Sequence, residues 1–121
     1  MVDVLEGLVY MHDIGVIHAD MKLDNILAMT DSDSDLPILK IADLGLALIA
    51  DEKGEVLLTE KIGTLHYIAP EVAAGNRVTS KIDMWGLGII LYKMCCAYRP
   101  NQVKNYNYVD GPIPFRPVDW K

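Results

Sequence analysis

A mainly α chain with one small β-hairpin, an α+β arrangement, is the fold class that this sequence predicts. Three observations predict it: apolar residues at helical spacing over 2–13, a wholly apolar helical run from Ile82 to about Met94, and two short apolar runs, 26–29 and 38–41, parted by a polar turn. The 121 residues are 51% hydrophobic and 23% charged, the balance of a packed globular segment rather than a disordered one.

Val4, Leu5, Leu8, Val9 and Met11 or His12 recur at helical spacing, and Gly15 stops the pattern, giving the first helix over about 2–13. Val16 and Ile17 then lead into HADMKLDN (18–25), a stretch without clear period and rich in ionisable side chains, which reads as a loop of the kind that carries function. Ile26 to Met29 and Ile38 to Ile41 form the hairpin around the acidic turn Thr30–Pro37. In an antiparallel hairpin the start of one strand lies beside the end of the other, so Asn25 and Asp43 become neighbours in space.

From Leu44 to Val72, Gly45, Gly54, Gly63 and Pro70 break any period, and the segment reads as a long ordered loop with a short helix after Pro70. Thr79 or Ser80 caps the next helix, with Asp83 three residues beyond Ser80 as in a capping box. Trp85, Leu87, Ile89, Ile90, Leu91 and Met94 make that helix apolar all round, which places it at the centre of the fold. The tail from Ala97 to Lys121 carries four of the six prolines (Pro100, Pro112, Pro114, Pro117), and little regular structure is expected there. The chain has no internal repeat.

A net charge of −6 and a pI near 4.8 provide no chain-wide electrostatic footprint for nucleic acid or an anionic membrane. Neither is expected as a partner. The two cysteines, Cys95 and Cys96, are adjacent, so pairing with each other is strained and a reducing compartment is expected. The N-terminus has early acids and no basic n-region, and the run from Met84 to Met94 is too short for the roughly 20 residues that span a bilayer. An intracellular, cytoplasmic location follows as the expectation.

Phosphoryl transfer needs a carboxylate near the attacking hydroxyl, cations around the phosphates and oxygen ligands for magnesium. The loop and hairpin hold all three: Asp20 to accept the hydroxyl proton, Lys22 to neutralise the transferred phosphate, and Asn25 with Asp43 to ligate the metal. Any one of them alone reads as a solvated side chain. The acids Asp31, Asp33 and Asp35 lack the glycine and terminal glutamate of a calcium loop and read as a solvated turn.

HADMKLDNIL resembles the catalytic loop His-Arg-Asp-x-Lys-x-x-Asn of the protein kinase family. Asp43-Leu44-Gly45 resembles its Asp-Phe-Gly motif, Gly63-Thr64 with Ala69-Pro70-Glu71 the end of its activation segment, and Asp83-Met84-Trp85 with Gly88 its central-helix motif. Four motifs in the family's order, over nearly the whole chain, make coincidence improbable. The resemblance implies a partial kinase-like C-lobe in residues 1–121: catalytic loop, metal-binding hairpin, activation segment and central helix, without the N-lobe and terminal helices. It implies a Ser/Thr kinase, with ATP as co-substrate, Mg2+ as cofactor and a protein hydroxyl as acceptor. Thr64 would brace Asp20 and Lys22, Asp83 would bond the backbone around His18, and His18 would pack beneath the loop. Gly45 and Glu71 belong to the same motifs.

The sequence also departs from the pattern. The glycine-rich loop, strand lysine and helix glutamate of an active kinase are not among these residues. The expectation is therefore a fragment that does not bind ATP productively alone; the alternative is a truncated kinase-like scaffold or pseudokinase that binds without catalysis. Ala19 stands where many kinases carry the arginine that contacts a phosphorylated activation segment, and Glu60 falls about where the regulatory phosphate sits. Leu44 for phenylalanine is a mild change.

Overall fold

The computed structural model describes residues 1–30, 36–75 and 77–96. Most of the acidic turn and the whole tail from Ala97 to Lys121 lie outside the described residues.

Helix α1 spans Val2–Asp13 and buries Val4 and Leu8. It ends where Gly15, at φ +75°, takes the left-handed conformation and donates its N–H to the His12 carbonyl at 3.0 Å, while Ile14 N–H reaches the Tyr10 carbonyl. Strand β1 (Val16–Ile17) follows and leads into the 18–25 loop, which closes with a 3-10 turn at Leu23–Asn25. Strands β2 (Ile26–Met29) and β3 (Ile38–Ile41) form the expected hairpin, with Ile26 opposite Ile41 and Met29 opposite Ile38. The hairpin docks on α1, where Asp3 Oδ2 accepts the Leu39 N–H at 2.9 Å.

Two further antiparallel pairs extend the β content beyond the single hairpin expected from the sequence. Strand β4 (Leu48–Ile49) pairs with β1, and β5 (Val56–Leu57) with β6 (Arg77–Val78), which follows the short helix α2 (Pro70–Ala74). Each of these strands is two residues long, too short to show any alternation in sequence. Helix α2 starts with Pro70 at its first turn and stops at Gly75, φ +75°.

Helix α3 (Lys81–Cys96) joins two apolar clusters. Leu87, Ile89 and Ile90 pack with Val4, Leu8, Met21 and Tyr67, while Ile82 packs with Ile17, Ala69, Val72 and Val78. Trp85 lies against both. Met84, Leu91 and Met94 remain 40–49% exposed, so the apolar circumference read from the sequence is buried over only part of its extent among the described residues. The capping box does not form. Asp83 turns both carboxylate oxygens toward the 18–25 loop instead, and the side-chain cap on the helix start comes from Thr79 Oγ1, which accepts the Lys81 N–H at 3.4 Å.

Of the two glycines in α3, only Gly86 is required by close approach. A Cβ there would stand 2.7 Å from the Met21 carbonyl oxygen and 2.8 Å from its Cβ, whereas one on Gly88 meets nothing within 4 Å. Gly86→Ala should therefore destabilise the chain by about 1–3 kcal/mol through overpacking. Gly88→Ala should be neutral or gain up to about 1 kcal/mol of helix propensity. Urea denaturation of the two variants checks this, and equal effects would contradict it.

Candidate active site

The 18–25 loop is bent by one residue. Ala19 sits at φ +64°, a conformation that costs an alanine about 1–3 kcal/mol and persists only where the surroundings enforce it. Asp83 enforces it: Oδ1 accepts the Ala19 N–H at 2.8 Å and Oδ2 the His18 N–H at 2.9 Å. The Asp83 side chain is fully buried, and a buried carboxylate is tolerated only when its oxygens are satisfied. His12, in the last turn of α1, supplies a third donor, with Nε2 2.8 Å from Oδ2.

His18 is fully buried beneath the loop. Its Nδ1 accepts the Asp20 N–H at 3.2 Å, so the ring proton lies on Nε2, which donates to the Ala42 carbonyl at 3.0 Å. This one ring ties the backbone before Asp20 to the backbone before Asp43.

Asp20 is 7% exposed and both its oxygens are engaged. Thr64 donates to Oδ1 through its N–H (2.8 Å) and its hydroxyl (2.6 Å); Lys22 Nζ donates to Oδ2 at 2.7 Å and to Thr64 Oγ1 at 2.9 Å. Burial pushes the Asp20 carboxyl up, but the bonds from Lys22 and Thr64 and the lysine's charge outweigh it and hold the group below its ordinary 3.8. Lys22 moves the other way. Its bond to Asp20, opposed by desolvation and aided by the charges of Asp20, Asp24 and Asp43, raises it above 10.5.

Asn25 is buried and donates Nδ2 to the Asp20 carbonyl at 2.9 Å and to Asp20 Oδ2 at 3.3 Å. Spending the amide nitrogen in this way leaves Oδ1 as its acceptor atom. The hairpin register brings Asp43 alongside: Ala42 N–H donates to the Asn25 carbonyl at 2.9 Å, and Asp43 is the next residue. Asp43 is exposed, at φ +64°, with Oδ1 accepting the Gly45 N–H at 3.1 Å. Two hard oxygen donors on neighbouring backbone suit a magnesium ion that shares its shell with phosphate and water. No group of three or more His, Cys, Asp or Glu side chains able to hold a metal occurs among the described residues. Glu71 lies apart, half-buried in the first turn of α2.

The structure thus brings Asp20, Lys22, Thr64, Asn25, His18 and Asp83 into one hydrogen-bonded network, with Asp43 joined through the backbone and Gly45 through the Asp43 carboxylate. His12, bonded to Asp83, joins the same network and read in the sequence only as a helix residue. Gly86, which lets the Met21 backbone approach α3, had no sequence signal beside the motif glycine Gly88.

The sequence profile described as the protein kinase domain matches residues 1–111. A calcium/calmodulin-dependent protein kinase of Emericella nidulans is 39% identical over 97 residues, covering 80% of this chain and 24% of that protein. Human calcium/calmodulin-dependent protein kinase type IV is 40% identical over 97 residues, covering 80% of this chain and 20% of that protein. A calcium/calmodulin-dependent protein kinase of Metarhizium anisopliae is 36% identical over 124 residues, covering 98% of this chain and 31% of that protein. The chain therefore spans less than a third of the length of these relatives.

Because the Asp20 carboxyl is held down in the folded chain, its contribution to stability is complete above the ordinary carboxylate range and is lost as pH falls through the lowered value. Asp20→Asn should flatten the decline of unfolding free energy with acidification below about pH 4. Denaturation series at stepped pH measure it, and parallel acid limbs for both proteins would rule it out.

Proposed function

Because this chain belongs to the protein kinase family, in its serine/threonine branch, we propose that residues 1–121 form the C-lobe part of a domain that transfers the γ-phosphoryl group of ATP to a protein serine or threonine hydroxyl. The observation that carries this reading is the doubly engaged Asp20 carboxylate, an anion held in place by Lys22 and Thr64. A carboxylate so fixed orients the acceptor hydroxyl and takes its proton as the oxygen attacks phosphorus. Lys22, kept cationic, offsets the charge on the transferred group. Thr64 holds both residues through one hydroxyl, donating to Asp20 and accepting from Lys22. Asn25 and Asp43 would hold Mg2+, which when bound neutralises and orients the phosphates. In the family the residues that cover the nucleotide are the glycine-rich loop and the strand lysine, and neither motif is among these residues.

Phosphotransfer from Mg-ATP to serine- and threonine-containing peptides by the full-length gene product tests the assignment. Asp20→Asn should lower kcat by about 10²–10⁴-fold, with KM for ATP little changed. An active Asp20→Asn protein would exclude the role given to Asp20, and peptide binding without transfer by the wild type would favour a scaffold.

The activation segment needs no phosphate in this reading. Ala19 and Ile62, with Val56 and Leu58, pack against the Val72 and Val78 cluster, and Glu60 is already negative and exposed. Phosphatase treatment should therefore leave the activity unchanged. Loss of activity together with a phosphate mapped to Thr59 would contradict this.

A further inference from the structure

We propose that His66 is a positioning residue whose strained backbone sets how firmly Thr64 holds Asp20 and Lys22. The proposal rests on the reading of Asp20 as the proton acceptor.

Residues 64–67 form a tight turn. The Tyr67 N–H donates to the Thr64 carbonyl at 3.0 Å, and His66, the third residue of the turn, sits at φ +83° while Leu65 stays outside the left-handed region. That combination is a type II turn, which takes glycine or asparagine at its third position and favours proline at its second. This chain has histidine and leucine there instead. A residue with a Cβ is disfavoured at such a φ and persists in it only where the surroundings enforce it.

Both ends of the turn are pinned. On one side Gly63, at φ +92°, lies so close to the 18–25 loop that a Cβ on it would stand 3.1 Å from the Ala19 carbonyl oxygen. On the other, Tyr67 is 7% exposed and belongs to the apolar cluster of Leu8, Met21, Leu87 and Ile90. Leu65, 70% exposed, is not what fixes the turn. Thr64 begins it, and there its N–H and hydroxyl hold Asp20 Oδ1 while Oγ1 accepts from Lys22. These bonds are only part-buried whereas Tyr67 is in the core, so a turn that relaxes lets go of Asp20 first. Strain at His66 therefore works against the Thr64–Asp20 contact, and a residue suited to the left-handed region strengthens it.

The test grades position 66 by tolerance of the left-handed region: glycine takes it freely, asparagine readily, and β-branched valine least. In the full-length gene product, amide exchange at Thr64, measured without ATP, should slow about fivefold in His66→Gly and quicken about fivefold in His66→Val. His66→Asn should slow it too. These changes should exceed any at Ile90, in the middle of α3, where exchange reports global opening. With Mg-ATP and a serine peptide, His66→Val should lower kcat about tenfold while KM for ATP stays within about twofold. The Gly and Asn variants should match or exceed the wild-type kcat. Thr64 exchange that is the same in all four proteins overturns the proposal, as does wild-type kcat in the Val variant. Quicker exchange in the Gly and Asn variants overturns it as well, because the effect then belongs to the imidazole and not to the backbone. If the Val variant does not fold, the Gly variant decides: slower Thr64 exchange supports the proposal, and unchanged or quicker exchange overturns it. A wild type that transfers no phosphate sinks the kinase reading alone, and slower Thr64 exchange in the Gly variant still supports the His66 tie.

Discussion

The buried carboxylate of Asp83 is the constraint on which the rest of the site depends. A carboxylate without exposure costs several kcal/mol unless every oxygen finds donors, and here the donors are two consecutive backbone amides and one imidazole. Satisfying Asp83 therefore dictates the chain path at His18 and Ala19. The strained Ala19 conformation is the consequence, and it turns the next side chain, Asp20, toward Thr64 and Lys22. Helix α3 can impose this because it is anchored on both sides, with Leu87 and Ile90 in one apolar cluster and Ile82 in the other. Packing holds the helix, and the helix holds the charge.

The short sheets then set the remaining distances. The β1–β4 pair brings the residues just before the loop beside the residues just after Asp43-Leu44-Gly45, and Gly15 extends that pairing by accepting the Ala50 N–H at 2.9 Å. The β2–β3 hairpin places Asn25 beside Ala42. His18 closes the circuit through the Ala42 carbonyl. Each polar side chain at the centre makes more than one bond, so none can reorient without stranding a partner. Such preorganisation is what electrostatic catalysis asks of a site, since charges already in place need no rearrangement when the reaction occurs.

How much of this the sequence disclosed depends on whether a residue acts within its own element. Helix α1 and the hairpin were legible because their apolar residues repeat at 3.6 and 2 positions, and the turn glycine at 15 marks a boundary. Asn25 and Asp43 could be paired from the hairpin alone. The strands β1, β4, β5 and β6 were hidden because two residues carry no period. Asp83 was placed in a capping box, since three residues after Ser80 is the spacing of that local motif; long-range donors at His18 and Ala19 won the carboxylate instead. His12 falls on the α1 pattern where a core residue was equally acceptable, and only its polar ring hinted at a partner elsewhere. Gly86 matters because a carbonyl from Met21 approaches it, and nothing local to α3 records that approach.

Position 19 shows how one substitution reshapes the surroundings of such a site. The alanine lies against the cluster of Ile17, Ala69, Val72, Val78 and Ile82, with Leu58, Ile62 and Ile68 packed on the same cluster. A cationic side chain there would have to leave that apolar setting or bring an anion into it, because an unpaired buried charge is unfavourable by several kcal/mol. With alanine, the segment from Val56 to Ile68 is held by buried apolar area and by the β5–β6 pairing. The exposed Arg77, 3.5 Å from Asp51 and 3.4 Å from Glu55, adds little, because solvent screens such ion pairs. Apolar burial has no charge state to switch. The packing of a segment held this way does not depend on a phosphate, which is the physical basis for proposing that the activation segment needs none.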